Sequence, residues 1–202
     1  MAISRETFAT GLTIDQFIDG MEVNKDRFQE NIQLNTLSFG DRQFFNDRPV
    51  SIAAFGEDWC PDVIQFLAVV AKIAEEVPSV TLRIFERDSG DNLKLMEPYF
   101  KDGQHQSIPV FVVYDQDWNE LGWFSERPAE IYKLMATETQ RFAKENPQLD
   151  GVTRTYDNMP EETRIAVREN SGNFRWGNQL EWNQLFLDEF KAIVGGAPVA
   201  AG

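Results

Sequence analysis

The chain carries one cysteine and one histidine, and the cysteine stands where a thiol can do chemistry. A short apolar run over 50–55 (VSIAAF) leads into Gly56-Glu57-Asp58-Trp59-Cys60-Pro61-Asp62-Val63, and a helical pattern begins at once. This order puts Cys60 at the start of a helix, where unpaired backbone N–H groups and the helix dipole favour a thiolate. Pro61 suits the first helical turn, because its missing N–H would have no partner there. Glu57, Asp58 and Asp62 act against the thiolate, since three carboxylates near one sulfur disfavour a further negative charge. Residue order leaves the net sign open. Asp62 is expected to accept N–H groups of the helix start as a capping carboxylate. Arg87 ends the second strand-like run, on the side of a parallel βαβ unit to which Cys60 also belongs. It could meet Asp62, Asp88 or the thiolate, and an ion pair with a neighbouring carboxylate is its expected role.

The elements that must position these residues fall into three zones of one expected domain, 1–202. Residues 1–48 read as helical: Phe17, Ile18 and Met21 share a stripe that Phe28, Ile32 and Leu34 continue, before a turn at Phe39 and Gly40. Residues 49–146 alternate. The run 50–55 suits a strand buried on both faces, 61–77 a helix with a broad apolar face, and 80–85 a second strand. A short helix is expected over 92–100, strands over 109–114 and 120–124, and a helix over 128–144. The order implies a mixed α/β sheet with helices on both faces. Residues 147–202 form a helical C-terminal extension with helices over 161–171 and 180–194. Trp176, Trp182, Phe186 and Phe190 are expected as a packing face, and the tail GGAPVAAG as frayed.

Composition excludes several functions. With 19 Lys plus Arg against 33 Asp plus Glu, the net charge is −14, which disfavours nucleic acid and anionic membrane surfaces. One cysteine allows no intrachain disulfide, and one His beside it makes no Cys/His zinc site. Neither a metal nor a cofactor is expected. Sixteen Phe and five Trp provide ample apolar surface for a core. No apolar run reaches signal-peptide or membrane-span length, so a cytoplasmic location, where thiols are kept reduced, is expected.

Strand, Trp-Cys-x-x, helix, then a later Ile-Pro opening a strand: this order over 49–146 resembles the thioredoxin fold. Trp59 and Cys60 match the tryptophan and attacking cysteine of the WCxxC motif, and Ile108-Pro109 matches the family's cis-proline beside that cysteine. Val63 stands where the family has its resolving cysteine, which the dithiol cycle needs. The chain is therefore no conventional thioredoxin reductant. EDWCPD, Arg87-Asp88 and Glu126-Arg127-Pro128 resemble a bacterial single-cysteine subfamily with an EDWCxD motif. Glu126 and Arg127 are expected to start the last core helix. The resemblance also places the loop of His105 beside Cys60, although a solvated imidazole is expected over a Cys/His pair.

The resemblance implies a thioredoxin-like core with N-terminal and C-terminal helical extensions. It also implies monothiol chemistry at Cys60 in cell redox homeostasis, with Trp59, Pro61, Asp62, Arg87, Ile108 and Pro109 around the sulfur. The partner would be a protein thiol or disulfide, or a low-molecular-weight thiol. A redox-inactive binding module, holding a peptide or protein in the groove of Trp59 and Pro109, is the alternative.

Overall fold

The computed structural model describes residues 3–196; all of the expected frayed tail beyond Gly196 lies outside them. The chain divides into two compact units, Met1–Arg127 with Asn183–Gly202, and Pro128–Trp182.

The first unit is built on a four-stranded mixed sheet of β1 (Val50–Gly56), β2 (Val80–Glu86), β3 (Val110–Tyr114) and β4 (Glu120–Ser125), in the order β2-β1-β3-β4. β1 runs parallel to β2 and antiparallel to β3, while β3 and β4 form an antiparallel hairpin. VSIAAFG and VFVVY are almost wholly buried, as expected for central strands covered on both faces. Leu12 pairs with Ile84 on β2, exchanging hydrogen bonds of 2.8 and 2.9 Å. Gly11 permits this approach, since a Cβ there would lie 2.8 Å from the Phe85 ring.

Four short helices precede the sheet: α1 (Arg5–Ala9), α2 (Ile14–Gly20), α3 (Lys25–Leu34) and α4 (Phe39–Asn46). Their limits follow local chemistry. Thr13 with Gln16, and Ser38 with Asp41, form capping boxes that start α2 and α4. The Ser38 box corrects the expected turn at Phe39 and Gly40, which instead begin α4. Leu34 leaves the expected stripe and is exposed, whereas Phe17, Phe28 and Ile32 are buried.

The crossover between β1 and β2 is helical from 61, but residues Val63–Leu67 adopt π geometry before α5 (Ala68–Glu76) resumes the ordinary pitch. Apolar spacing gives no sign of this insertion, because all five residues are buried. The expected helix over 92–100 is α6 (Asn92–Met96) followed by a single tighter turn containing Pro98.

Much of the core of this unit is aromatic. Phe186 of α9 (Gln179–Val194) lies 5.0 Å from Phe66 of the π segment, 5.5 Å from Phe111 of β3 and 5.0 Å from Phe124 of β4. Phe190 continues the stack toward Phe45 of α4. The expected packing face of the last helix thus closes onto the sheet and the crossover.

The second unit contains α7 (Ala129–Glu145) and α8 (Glu161–Gly177). Val152, Met159 and Val167 form its small core with Phe142, Ala143 and Leu149. α8 runs six residues beyond its expected end, with Phe174 edge-on to Trp182 at 5.5 Å.

Candidate functional site

β1 ends at Gly56, and the chain turns at once: the Cys60 N–H donates to the Glu57 carbonyl at 3.2 Å. The Cys60 carbonyl then accepts the Ile64 N–H at 3.0 Å, which makes Cys60 the residue from which the helix departs. Gly56 is required beneath this corner, because a Cβ would lie 2.9 Å from Val63. The residue in place of a resolving cysteine is therefore wedged against the end of β1.

The sulfur is sheltered, with Cys60 only 7% exposed. Its thiol donates to the Ile108 carbonyl at 3.6 Å, and the Ile108–Pro109 peptide bond is cis. The Pro109 carbonyl accepts the Glu126 N–H at 2.7 Å, which ties this corner to the end of β4. Glu126 adopts φ 64°, a left-handed conformation uncommon outside glycine.

Trp59 is half exposed beside the sheltered thiol. The Arg87 guanidinium lies 5.3 Å from its ring centroid, within cation–π range. Arg87 also grips Asp88 in a two-point ion pair, at 2.8 and 2.9 Å, and donates to the Gln106 carbonyl at 3.0 Å. One side chain thus joins the end of β2, the tryptophan and the loop preceding Ile108. The Asp88 pair holds the Arg87 pKa above its ordinary value, with smaller contributions from Glu57 and from charge at Cys60. The same pair holds the Asp88 carboxyl below the usual range.

Each of the three flanking carboxylates has a partner of its own. Glu57 accepts the Asp88 N–H at 2.7 Å. Burial nevertheless pushes its pKa up, aided by the charges of Asp88 and Glu86. Asp58 accepts the Glu22 and Val23 N–H groups at 2.7 and 2.9 Å, while the Asn24 amide donates to the Asp58 carbonyl at 2.8 Å. The loop between α2 and α3 is thereby fastened to the cysteine loop. Asp62 is buried and accepts from Arg127 at 2.5 Å.

That last contact corrects two expectations. Asp62 makes no side-chain capping bond to the helix start; it lies within the first turn, since 61 is already helical, and it turns to Arg127 instead. Arg127 in turn does not serve to start α7, whose flanking residue is Pro128. Arg87 pairs with the neighbouring carboxylate of Asp88. His105 is exposed and exchanges backbone hydrogen bonds with Lys101, without a bond to the thiol. The fold brings Cys60, Trp59, Pro61, Ile108 and Pro109 together at one corner.

The sequence gives Arg127 only a helix-start role and no sign of the contacts made by Gln106 and the Glu22–Val23 backbone. Glu126-Arg127-Pro128 carried a signal for Arg127, as a polar pair immediately before a helix. The other two contribute backbone groups, which no side-chain pattern reveals. Among the described residues, no group of three or more His, Cys, Asp or Glu is placed to hold a metal ion. Among them, too, no helix is long and apolar enough to cross a membrane.

Comparison with known proteins adds three findings. A family model described as thioredoxin matches residues 11–145, about two thirds of the chain. No curated protein matches. Two solved structures share the fold. One is the crystal structure of an HIV epitope scaffold, at 20% identity and TM-score 0.62, with 98% of this chain and 100% of that one covered. The other is a protein of unknown function from Pseudomonas aeruginosa, at 19% identity and TM-score 0.56, with 88% and 99% covered.

Proposed function

The chain belongs to the thioredoxin family, and from that membership we propose that it performs monothiol thiol–disulfide exchange at Cys60. The observation that carries this reading is the place of the sulfur, at a helix start and 3.6 Å from the Ile108 carbonyl. As a thiolate, Cys60 would attack one sulfur of a partner disulfide. The partner S–S bond breaks, its other sulfur leaves as a thiolate and takes up a proton, and a Cys60 mixed disulfide remains. With Val63 in place of a second thiol, an external thiol must attack that mixed disulfide. Cys60 is then released, and a disulfide forms between the partner and the incoming thiol. No net oxidant is consumed.

The disulfide attacked is that of a protein or of a small molecule, the incoming thiol is a protein or low-molecular-weight thiol, and the setting is a reducing cytoplasm in which the reaction serves redox homeostasis. EDWCPD, together with the Asp62–Arg127 pair that its final residue makes, supports membership of a single-cysteine subgroup. Asp58 and Asp62 are committed to the N-terminal loop and to Arg127, so the acidity next to the sulfur is largely compensated from within the fold.

Treatment of the folded protein with glutathione disulfide tests this directly. One adduct on Cys60, seen by mass and reversed by added thiol, is expected. An adduct that forms only in denaturant would overturn the reading.

The burial of Cys60 favours a second reading, a binding module in which the thiol helps to shape the groove without reacting. Cys60→Ser distinguishes the two: a module keeps its partner, whereas an exchange protein loses every covalent adduct.

A further inference from the structure

The helix that carries Cys60 is irregular within one turn of the cysteine, and the irregularity is braced from outside. Where pairing passes from π spacing back to α spacing, the ladder skips a carbonyl. The Ile64 carbonyl, inside the π segment, accepts the Asn31 side-chain amide at 2.9 Å. Asn31 in α3 is wholly buried.

The brace continues through a chain of amides. Asn35 donates to the Asn31 carbonyl at 2.8 Å, Asn183 donates to the Asn35 side-chain oxygen at 2.8 Å, and Gln65 donates to the Asn183 side-chain oxygen at 3.0 Å. Gln65 follows Ile64 directly, so the chain closes on the π segment it started from. All four side chains are buried. Buried amides are costly unless paired, and a hydrocarbon core would serve stability at least as well. What a fully paired buried network contributes is a single, rigid geometry.

We infer that Asn31 is a positioning residue for Cys60: by filling the Ile64 carbonyl it holds the π segment, and the π segment sets where the sulfur meets the Ile108–Pro109 corner. The inference rests on the exchange reading only in taking the Cys60 sulfur as the reacting atom. One inserted residue corresponds to a rotation of about 100° along an α-helix. α5 is anchored by its buried residues Ala68, Val69, Val70, Ala71 and Ile73. Relaxation of the π segment to α pitch is therefore taken up at the end that carries Cys60.

The environment of the sulfur makes such a movement readable. Glu57 and Asp58 lie on its own loop and Asp62 in the first helical turn after it; Glu86, Arg87 and Asp88 are at the end of β2; His105 is in the loop before Ile108; Glu126 and Arg127 follow β4. A displaced sulfur keeps its covalent neighbours but changes its distance to these charges, and with it the pH at which it ionises.

The test is the rate of Cys60 alkylation by iodoacetamide against pH in the folded full-length protein. Asn31→Ala should move the midpoint by about half a pH unit or more, roughly a threefold change in the ionisation constant. Phe45→Leu, a core change outside the amide chain, should destabilise the protein yet keep the wild-type midpoint. Coincident profiles for Asn31→Ala and wild type would overturn the inference, as would an equal shift in Phe45→Leu. Should Asn31→Ala fail to fold, Asn183→Leu opens the same chain from the other side. Its midpoint should also shift, and an unmoved midpoint there overturns the inference. A wild-type Cys60 that alkylates yet refuses glutathione disulfide would count against the exchange chemistry alone.

Discussion

The Arg127 guanidinium donates to the Asp62 carboxylate at 2.5 Å, with the two side chains only 17% and 5% exposed. Arg127 also reaches Glu126 at 3.1 Å, so the segment after β4 is bound to the helix turn beyond Cys60. Removal of one partner from a buried pair strands the other charge, which typically costs about 3 kcal/mol. Asp62→Ala should lose stability of about that size by denaturant unfolding. Asp62→Ala combined with Arg127→Met should recover part of it, because the stranded cation is gone. A double variant less stable than the sum of the two singles would contradict the pairing.

Val63 occupies the position from which a second thiol would reach Cys60, and its side chain presses on Gly56. Val63→Cys introduces a smaller group there, so the chain should accept it. After mild oxidation, the variant should form an intramolecular disulfide between Cys60 and the introduced thiol. It would show a mass two hydrogens lower and no titratable thiol. Two free thiols persisting in the oxidised folded protein would show that the π geometry holds the two positions apart.

Glu57 makes stability depend on pH in a defined direction. Its pKa is raised above the ordinary 4.5, first by burial and then by the charges of Asp88 and Glu86. The folded state therefore binds the proton more tightly than the unfolded state does. The stabilisation is fully present below 4.5 and is lost as pH rises through the higher folded value. Glu57→Gln removes this dependence while keeping an oxygen for the Asp88 N–H. Relative to the wild type, the variant should gain stability between acid and neutral pH. Denaturant midpoints across that range give the measurement, and a constant difference between the two proteins would refute it.

Asp58 holds the Glu22 and Val23 N–H groups with a single carboxylate oxygen. Hydrogen bonds to a charged acceptor contribute about 1.5–3 kcal/mol each in favourable settings. In Asp58→Ala, amide hydrogen exchange at Glu22 and Val23 should accelerate by about tenfold or more, the equivalent of about 1.4 kcal/mol of local stability. Amides in the centre of β3 should exchange as before. Unchanged exchange at Glu22 and Val23 would mean that the loop is held by other contacts.

The legible parts of this molecule were those written in local pattern. VSIAAF and PVFVVY are apolar runs of strand length, and β1 and β3 lie where they do. Cys60 was readable as a helix start because a strand, a turn and Pro61 precede an apolar helical repeat. Contacts between charged side chains far apart in the chain were not readable in this way. Asp62 had a good local role as a cap, yet a cation 65 positions away displaced it. The π segment was hidden for a different reason. A segment whose five residues are all buried has no polar face whose phase could betray an extra residue, and the amide that braces it comes from α3. The short N-terminal helices are legible as helical but not in number, since the capping boxes at Thr13 and Ser38 mark starts within a zone, 1–48, that apolar spacing reads as helical throughout.

The pairing of Leu12 with Ile84 has a consequence for how copies of this chain meet. β2 is an outer strand of the sheet, and an outer strand with open N–H and C=O groups is a template for another molecule's strand. Leu12 occupies those groups at Ile84 with the chain's own backbone, and Gly11 lets it lie flat against the Phe85 ring. The N-terminal segment thus covers that border at Ile84, where another strand would otherwise find open backbone groups, an effect separate from anything that happens at the sulfur.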